Sequence, residues 1–131
     1  MLTHPQPGSP ATAYIDLDAI AANVATLRSR APSTAFMAVV KADAYGHGLL
    51  PVARAAQRGG ANWLGTALLG EALELRADGI TGRVMTWLHV PGTDYAPALA
   101  EEIDLGVSAA WDLQEVAAAA RSTGHIARVH L

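Results

Sequence analysis

The sequence has 131 residues, of which 51% are apolar, and this is enough material for one packed domain rather than a disordered tail. Its 9 basic and 12 acidic residues nearly cancel and the basic ones are scattered, which argues against a nucleic-acid partner. The absence of cysteine excludes disulfides and thiolate metal sites and suits a reducing cytoplasm. The first residues do not resemble a signal peptide, and no uncharged apolar run approaches the roughly 18 residues of a membrane span. We therefore expect a globular, cytoplasmic protein.

The first half of the chain predicts alternating strands and helices. Residues 1–12 are predicted to be a loose segment, and residues 13–131 to form one structural unit. Asp18 is predicted to cap the first helix, and Pro32 to end it. The predicted elements are a strand over 13–17, a helix marked by Ile20, Val24 and Leu27, a strand over 35–41, a glycine loop at 46–48, a helix over 51–58, a strand over 63–66 and a helix over 69–77.

The second half continues the same alternation. Ser108 is predicted to cap its main helix and Gly124 to close it. Strands and helices that alternate with short connections predict parallel βαβ units, in a doubly wound sheet or a (β/α)8 barrel. An eight-unit barrel needs about 250 residues, so this chain has room for about half of one. The predicted elements are a strand over 83–87, a turn at 90–94, a helix over 96–102, a strand over 104–107, a helix over 110–121 and a strand over 126–131.

Lys41 closes the apolar run over 35–41, whose continuous hydrophobicity predicts a strand buried on both faces. The carboxyl ends of parallel strands form the face where α/β folds bind their ligands. A lysine shielded from water loses its proton more readily, and its neutral amine is a nucleophile toward a carbonyl or a cofactor aldehyde. The alternative is an ordinary strand-end cation whose charged group reaches the solvent.

Three sequence blocks resemble those of the alanine racemases. AVVKADAYGHG resembles the cofactor-lysine motif of that family, YIDLDAIAANV its opening segment and GEALELRADGI its second helix. They occur in the right order and spacing, and the resemblance covers nearly the whole chain. It implies the first part of a (β/α)8 TIM-type barrel that binds pyridoxal 5'-phosphate, followed by a C-terminal β domain.

The resemblance also implies roles for individual residues. Lys41 matches the lysine that binds the cofactor covalently and serves as one of two proton-transfer bases. Tyr45 matches a tyrosine that reaches the cofactor phosphate. Trp87 lies where the family has an apolar contact beside the cofactor, although many members have leucine there.

Other polar residues are weaker candidates. His47, between two glycines, is more typical of a residue that fixes a turn than of a phosphate ligand. The four other histidines have no metal-ligand spacing, so no metal is predicted. Capping, turn and helix-surface roles explain four carboxylates without any acid–base chemistry, namely Asp16, Asp18, Asp43 and Glu71.

The resemblance implies partners that these 131 residues do not contain. In the family, the second base is a tyrosine of the C-terminal domain, donated across a homodimer interface, so this segment alone is predicted to be inactive. We also expect the polypeptide to continue beyond Leu131, because residues 126–131 form an apolar strand pattern and the strands are too few to close a barrel. The family has a lysine directly after this strand that is often carbamylated. We expect that this sequence was cut at such a modified lysine.

The predicted function is the interconversion of L- and D-alanine, which supplies D-alanine for peptidoglycan. Two alternatives remain open at this point. One is an amino-acid racemase of broad specificity, and the other is a non-catalytic protein that carries pyridoxal phosphate in a single barrel. The AYGHG sequence after the lysine and the opening YIDLDAI segment favour the alanine racemase.

Overall fold

The computed structural model describes residues 11–31 and 35–131, which form one five-stranded parallel sheet flanked by helices. The short α2 contains a left-handed turn, which is described with the candidate site. The elements in chain order are α1 (Leu17–Arg30), β1 (Met37–Val39), α2 (Lys41–Gly46), α3 (Leu49–Arg58), β2 (Trp63–Thr66), α4 (Leu69–Ala77), β3 (Arg83–Thr86), α5 (Ala96–Ala100), β4 (Asp104–Gly106), α6 (Ala110–Thr123) and β5 (Val129–His130).

The strand order distinguishes between the two predicted architectures. Neighbouring strands pair in parallel in the order β1, β2, β3, β4, β5, without a reversal. Because crossovers between parallel strands are right-handed, this sequential order places the connecting helices on one face of the sheet. A doubly wound sheet would reverse direction and carry helices on both faces. The α/β fold is therefore the first part of a barrel, as predicted.

The core lies between the sheet and its helices. Strand residues that point toward the helices are fully buried, as Leu64, Val84 and Leu105 illustrate. The opposite face is open, and Val39 on it is 42% exposed. The prediction that residues 35–41 are buried on both faces was therefore wrong for this chain, because helices cover only one side of β1. The open face corresponds to the interior of a barrel.

The N-terminal part of the chain differs from the prediction in two respects. The described part of the chain has no strand over 13–17, where no neighbouring strand offers a hydrogen-bonding partner. The cap of α1 is Asp16 rather than Asp18, and its carboxylate accepts hydrogen bonds from the backbone N–H groups of Asp18 and Ala19 at 3.0 and 2.9 Å. Helix α1 starts two residues earlier than a cap at Asp18 would give, so Asp18 lies in its first turn, where a carboxylate is also favourable. Pro32 and the segment 1–10 lie outside the described residues.

The remaining predicted helices and strands are present, with ends that differ by a few residues. A second capping assignment was also wrong: the N-cap of α6 is Ala109, without a side-chain hydrogen bond, and not Ser108. Gly124 ends α6 as predicted, with a φ of 74° that glycine adopts without strain. No helix in residues 11–31 and 35–131 is long and apolar enough to cross a membrane.

Candidate active site at the carboxyl edge of the sheet

The carboxyl ends of the five parallel strands lie along one edge of the sheet, which we call the carboxyl edge. Lys41 follows β1 and Trp87 follows β3, so the structure places both predicted site residues at this edge. Side chains alternate along a strand, and Lys41 comes two residues after the open-face residue Val39. The lysine therefore belongs to the open face, where it is half-buried.

Lys41 and Tyr45 lie next to each other. The lysine Nζ lies 5.4 Å from the centroid of the Tyr45 ring, within the range of a cation–π interaction. Tyr45 is 61% exposed, so its phenol is open to a ligand. Two residues of the same sequence motif thus form one amine and phenol pair.

A left-handed turn brings this pair together. The four residues from Ala42 to Tyr45 have φ of 52° to 58° and ψ of 35° to 53°, and none of them is glycine. Left-handed helical geometry costs about 1 to 2 kcal/mol per L-residue, because Cβ approaches the following carbonyl oxygen. Backbone strain of this kind is concentrated at functional sites and persists only where the surroundings enforce it.

Hydrogen bonds close the left-handed turn from within. Asp43 contributes twice: its carbonyl accepts from the Gly48 N–H at 2.9 Å, and its carboxylate accepts from the Leu49 N–H at 2.6 Å. The Nδ1 atom of His47 lies 3.0 and 3.1 Å from the carbonyl oxygens of Ala44 and Tyr45. Both partners are acceptors, so Nδ1 must carry the proton. Asp43 and His47 therefore have the turn-fixing roles that the sequence favoured.

Glu71, at the start of α4, connects this turn to the next loop of the carboxyl edge. Its Oε1 accepts a hydrogen bond from the Asp43 N–H at 3.3 Å. Its Oε2 accepts from the N–H groups of Ala67 and Leu68 at 3.2 and 3.1 Å. The sequence analysis offered only capping, turn and helix-surface roles for Glu71 and three other carboxylates, and it missed the contact with the lysine loop, which depends on the pairing of β1 with β2.

Trp87 is half-buried on the open face and packs over two strand glycines. A Cβ on Gly65 would lie 3.0 Å from Cζ3 of the indole and 2.8 Å from the Met37 sulfur. A Cβ on Gly106 would lie 2.8 Å from the Cβ of Trp87. Glycine inside a strand often marks such close approach, so this signal was present in the sequence although it was not used.

The loop after Trp87 is anchored by a buried polar cluster. The Tyr95 hydroxyl donates to the Asp112 carboxylate at 2.5 Å, and His89 Nδ1 lies 3.4 Å from the same carboxylate. Burial and the hydrogen bond to Asp112 raise the pKa of Tyr95 above its ordinary value. The cluster fixes the β3–α5 loop against α6 and so supports the position of Trp87.

A second charged group lies at the opposite, amino-terminal end of the open face, and we call it the Asp104 cluster. Arg83 donates two hydrogen bonds to the fully buried Asp104 carboxylate, one of them at 2.7 Å, and Arg128 Nε donates a third at 3.2 Å. The Arg83 guanidinium also lies 4.3 Å from the centroid of the Trp63 ring. Burial raises the pKa of Asp104, but the hydrogen bond from Arg83 and the charge of Arg128 lower it by more, so the pKa is below its ordinary value. Within residues 11–31 and 35–131 no three histidine or acidic side chains are arranged to hold a metal ion.

The fold and the candidate site define an α/β-barrel protein with a lysine at the start of a strained turn on the carboxyl edge. Residues 15–131 match the family model described as the N-terminal domain of alanine racemase, and the chain belongs to this family. It is 56% identical to an alanine racemase of Frankia casuarinae over 99% of this chain and 35% of that protein. It is 60% identical to an alanine racemase of Beutenbergia cavernae over 93% of this chain and 32% of that protein.

Solved structures agree with the sequence comparison. The crystal structure of alanine racemase from Streptomyces lavendulae superimposes with a TM-score of 0.86 at 60% identity, over 89% of this chain and 31% of that one. Alanine racemase from Streptomyces coelicolor A3(2) gives a TM-score of 0.85 at 55% identity. The chain spans about a third of the length of the relatives it matches.

Proposed function

We propose that this chain supplies the cofactor-binding part of an alanine racemase, in which Lys41 binds pyridoxal 5'-phosphate and moves the substrate α-proton on one face. The observation that carries the proposal is the Lys41 and Tyr45 pair on a left-handed turn at the carboxyl edge, in a chain of the alanine racemase family. Lys41 is also the only lysine among the 131 residues, so no other lysine of this segment can take its role.

The chemistry of the residues at the carboxyl edge fits this cofactor. A primary amine is the group that reacts with an aldehyde, and Lys41 presents one in a half-buried position. The exposed phenol of Tyr45 is a hydrogen-bond donor suited to a phosphate oxygen. Trp87, at the end of β3, adds an apolar side chain on the open face, and we assign to it the apolar contact beside the cofactor.

Each of these residues would have a separate role in the reaction. When bound, pyridoxal phosphate supplies the electron sink that makes an amino-acid α-proton removable. Lys41 anchors it through Nζ, and the same atom, once released, accepts the α-proton and can return it. Tyr45 orients the phosphate through its hydroxyl. Racemisation also needs a second base on the opposite face of the α-carbon, and the family resemblance assigns it to a tyrosine outside these residues, from the partner protomer of a homodimer.

The proposal includes alanine as the substrate, D-alanine for peptidoglycan as the purpose and the cytoplasm as the location. The names of the relatives support the substrate, and the absence of cysteine favours the location. A panel of L-amino acids offered to the purified enzyme tests the substrate directly. Turnover of alanine well above the others supports the proposal, whereas equal turnover of many amino acids supports a racemase of broad specificity and no turnover supports a carrier.

The role of Lys41 is tested by Lys41→Ala and Lys41→Arg in the holoenzyme. We expect both to abolish the conversion of L- to D-alanine, because the anchor and one base are lost together. Arginine keeps a cation above Tyr45 but stays protonated, so it separates the loss of charge from the loss of the reactive amine. Chiral chromatography measures the product, and circular dichroism confirms the fold. Turnover by folded Lys41→Arg at the wild-type rate would contradict the assignment.

A further inference from the structure

We propose that Glu71 is a positioning residue for Lys41: its carboxylate holds the left-handed turn that presents the lysine at the carboxyl edge. The inference rests on the proposed function of Lys41. It begins with the contacts of one side chain, which joins the first two loops of the carboxyl edge. One carboxylate oxygen accepts from the Asp43 N–H, and the other accepts from the N–H groups of Ala67 and Leu68.

The contact with Asp43 lies inside the strained segment. Ala42, Asp43, Ala44 and Tyr45 all have left-handed geometry, which right-handed or extended backbone would relieve. The internal hydrogen bonds of the turn use the Ala44 N–H and the Asp43 carbonyl, so the Asp43 N–H is free to bond outside the turn. Glu71 provides its acceptor and thereby ties the strained backbone to the start of α4.

Glu71 thus clamps the left-handed turn to the β2–α4 loop, and this loop is itself held in place by the sheet. Ala67 and Leu68 follow β2 directly, and β2 pairs with β1 through the register of Val39 with Gly65. The Val40 N–H also donates to the Gly65 carbonyl at 2.8 Å, one residue before Lys41. Lys41 is therefore held by the sheet on one side and, through Asp43 and Glu71, by the β2–α4 loop on the other.

A clamp of this kind affects catalysis through geometry and not through contact with the substrate. Loss of the Asp43 bond would leave the turn free to relax and would change where Lys41 Nζ lies. A displacement of about 1 Å at a reacting group can lower turnover on the order of 100-fold. Substrate affinity would change little, because Glu71 belongs to a helix start and its carboxylate accepts hydrogen bonds from the backbone N–H groups of Asp43, Ala67 and Leu68.

The test compares Glu71→Gln with the matched control Glu74→Gln in the holoenzyme. Glutamine keeps the size and one acceptor oxygen, so it can satisfy the β2–α4 loop or the turn but not both. Glu74 lies three residues further along the same helix and is exposed. We expect Glu71→Gln to speed amide hydrogen exchange over residues 42–48 and to lower kcat by about 10- to 100-fold with KM within about twofold of wild type. Glu74→Gln should change neither.

Amide exchange keeps this inference separable from the proposed function, since it reports on the turn whether or not the protein racemises alanine. Unchanged exchange over residues 42–48 in Glu71→Gln would overturn the clamp. Faster exchange with an unchanged kcat would overturn the positioning role. Absence of racemisation in the wild-type holoenzyme, with exchange altered as expected in the variant, would instead refute the proposed function. If Glu71→Gln fails to fold, Glu71→Asp provides the second variant, because its shorter side chain cannot reach the Asp43 N–H and the N–H groups of Ala67 and Leu68 together, and normal exchange and turnover there would also count against the inference.

Discussion

The two ends of the open face are built on opposite principles. At the amino-terminal end, the carboxylate of the Asp104 cluster is fully buried and accepts hydrogen bonds from two arginines. At the carboxyl edge, Lys41 lies beside an aromatic ring, that of Tyr45, which belongs to the same strained turn and is largely exposed. The first arrangement stabilises the fold, and the second keeps reactive groups available. Substitutions at the two ends should therefore affect different properties.

The largest expected effect on folding lies in the Asp104 cluster. Asp104→Asn removes the charge that two guanidinium groups share, and we expect the free energy of unfolding to fall by about 2 kcal/mol. This value is below that of a fully buried pair because both arginine side chains are more than a third exposed. Denaturant unfolding of the holoenzyme measures it, and retention of pyridoxal phosphate should be unchanged. If Asp104→Asn lost the cofactor without losing stability, the proposed difference between the two ends of the open face would be contradicted.

The same carboxylate predicts how stability depends on pH. The folded-state pKa of Asp104 is lowered, so its contribution is present above its unfolded pKa of about 4 and is lost as the pH falls through the folded value. Wild-type protein should therefore lose stability below about pH 4 more steeply than Asp104→Asn. Thermal melting between pH 2 and 6 compares the two proteins, and parallel curves would show that Asp104 is not the group responsible.

These two regions were not equally visible in the sequence. The position of Lys41 followed from an apolar run and its last residue, because a strand end can be predicted locally. The partnership of Asp104 with Arg83 and Arg128 depends on strand register across 21 and 24 residues, which no local pattern contains. The left-handed turn was also difficult to predict, since alanine and tyrosine give no sign of positive φ and the single aspartate gives only a weak one.

A smaller effect is expected at the carboxyl edge, and on binding rather than on folding. Tyr45→Phe removes the hydroxyl that we assign to the cofactor phosphate, so affinity for pyridoxal phosphate should fall by about 1 to 2 kcal/mol while thermal stability without cofactor stays the same. Tyr14→Phe is the matched control, because Tyr14 is also 61% exposed but lies before α1. Equal dissociation constants for Tyr45→Phe and wild type would remove Tyr45 from the site.

The smallest expected effect is a stabilisation by glycine, a residue that usually destabilises a helix. Ala42 is exposed and has a φ of 54°, so Ala42→Gly relieves left-handed strain that outweighs the added freedom of the unfolded chain. We expect the free energy of unfolding to rise by about 0.5 to 1 kcal/mol. Ala118→Gly, at an exposed position within α6, should lower it by about 1 kcal/mol. Denaturant titration measures the free energy of unfolding of both variants, and a decrease in both would argue against strain in the turn.

The most direct test of the account is the identity of the lysine that binds the cofactor. Borohydride makes the bond between a lysine and pyridoxal phosphate permanent, and trypsin does not cleave after a lysine modified in this way. Arg30 and Arg54 bound the segment that contains Lys41, so reduced holoenzyme should yield one phosphopyridoxyl peptide spanning residues 31–54. Recovery of unmodified 31–41 and 42–54 peptides, with the label on a lysine elsewhere in the protein, would contradict the assignment of Lys41.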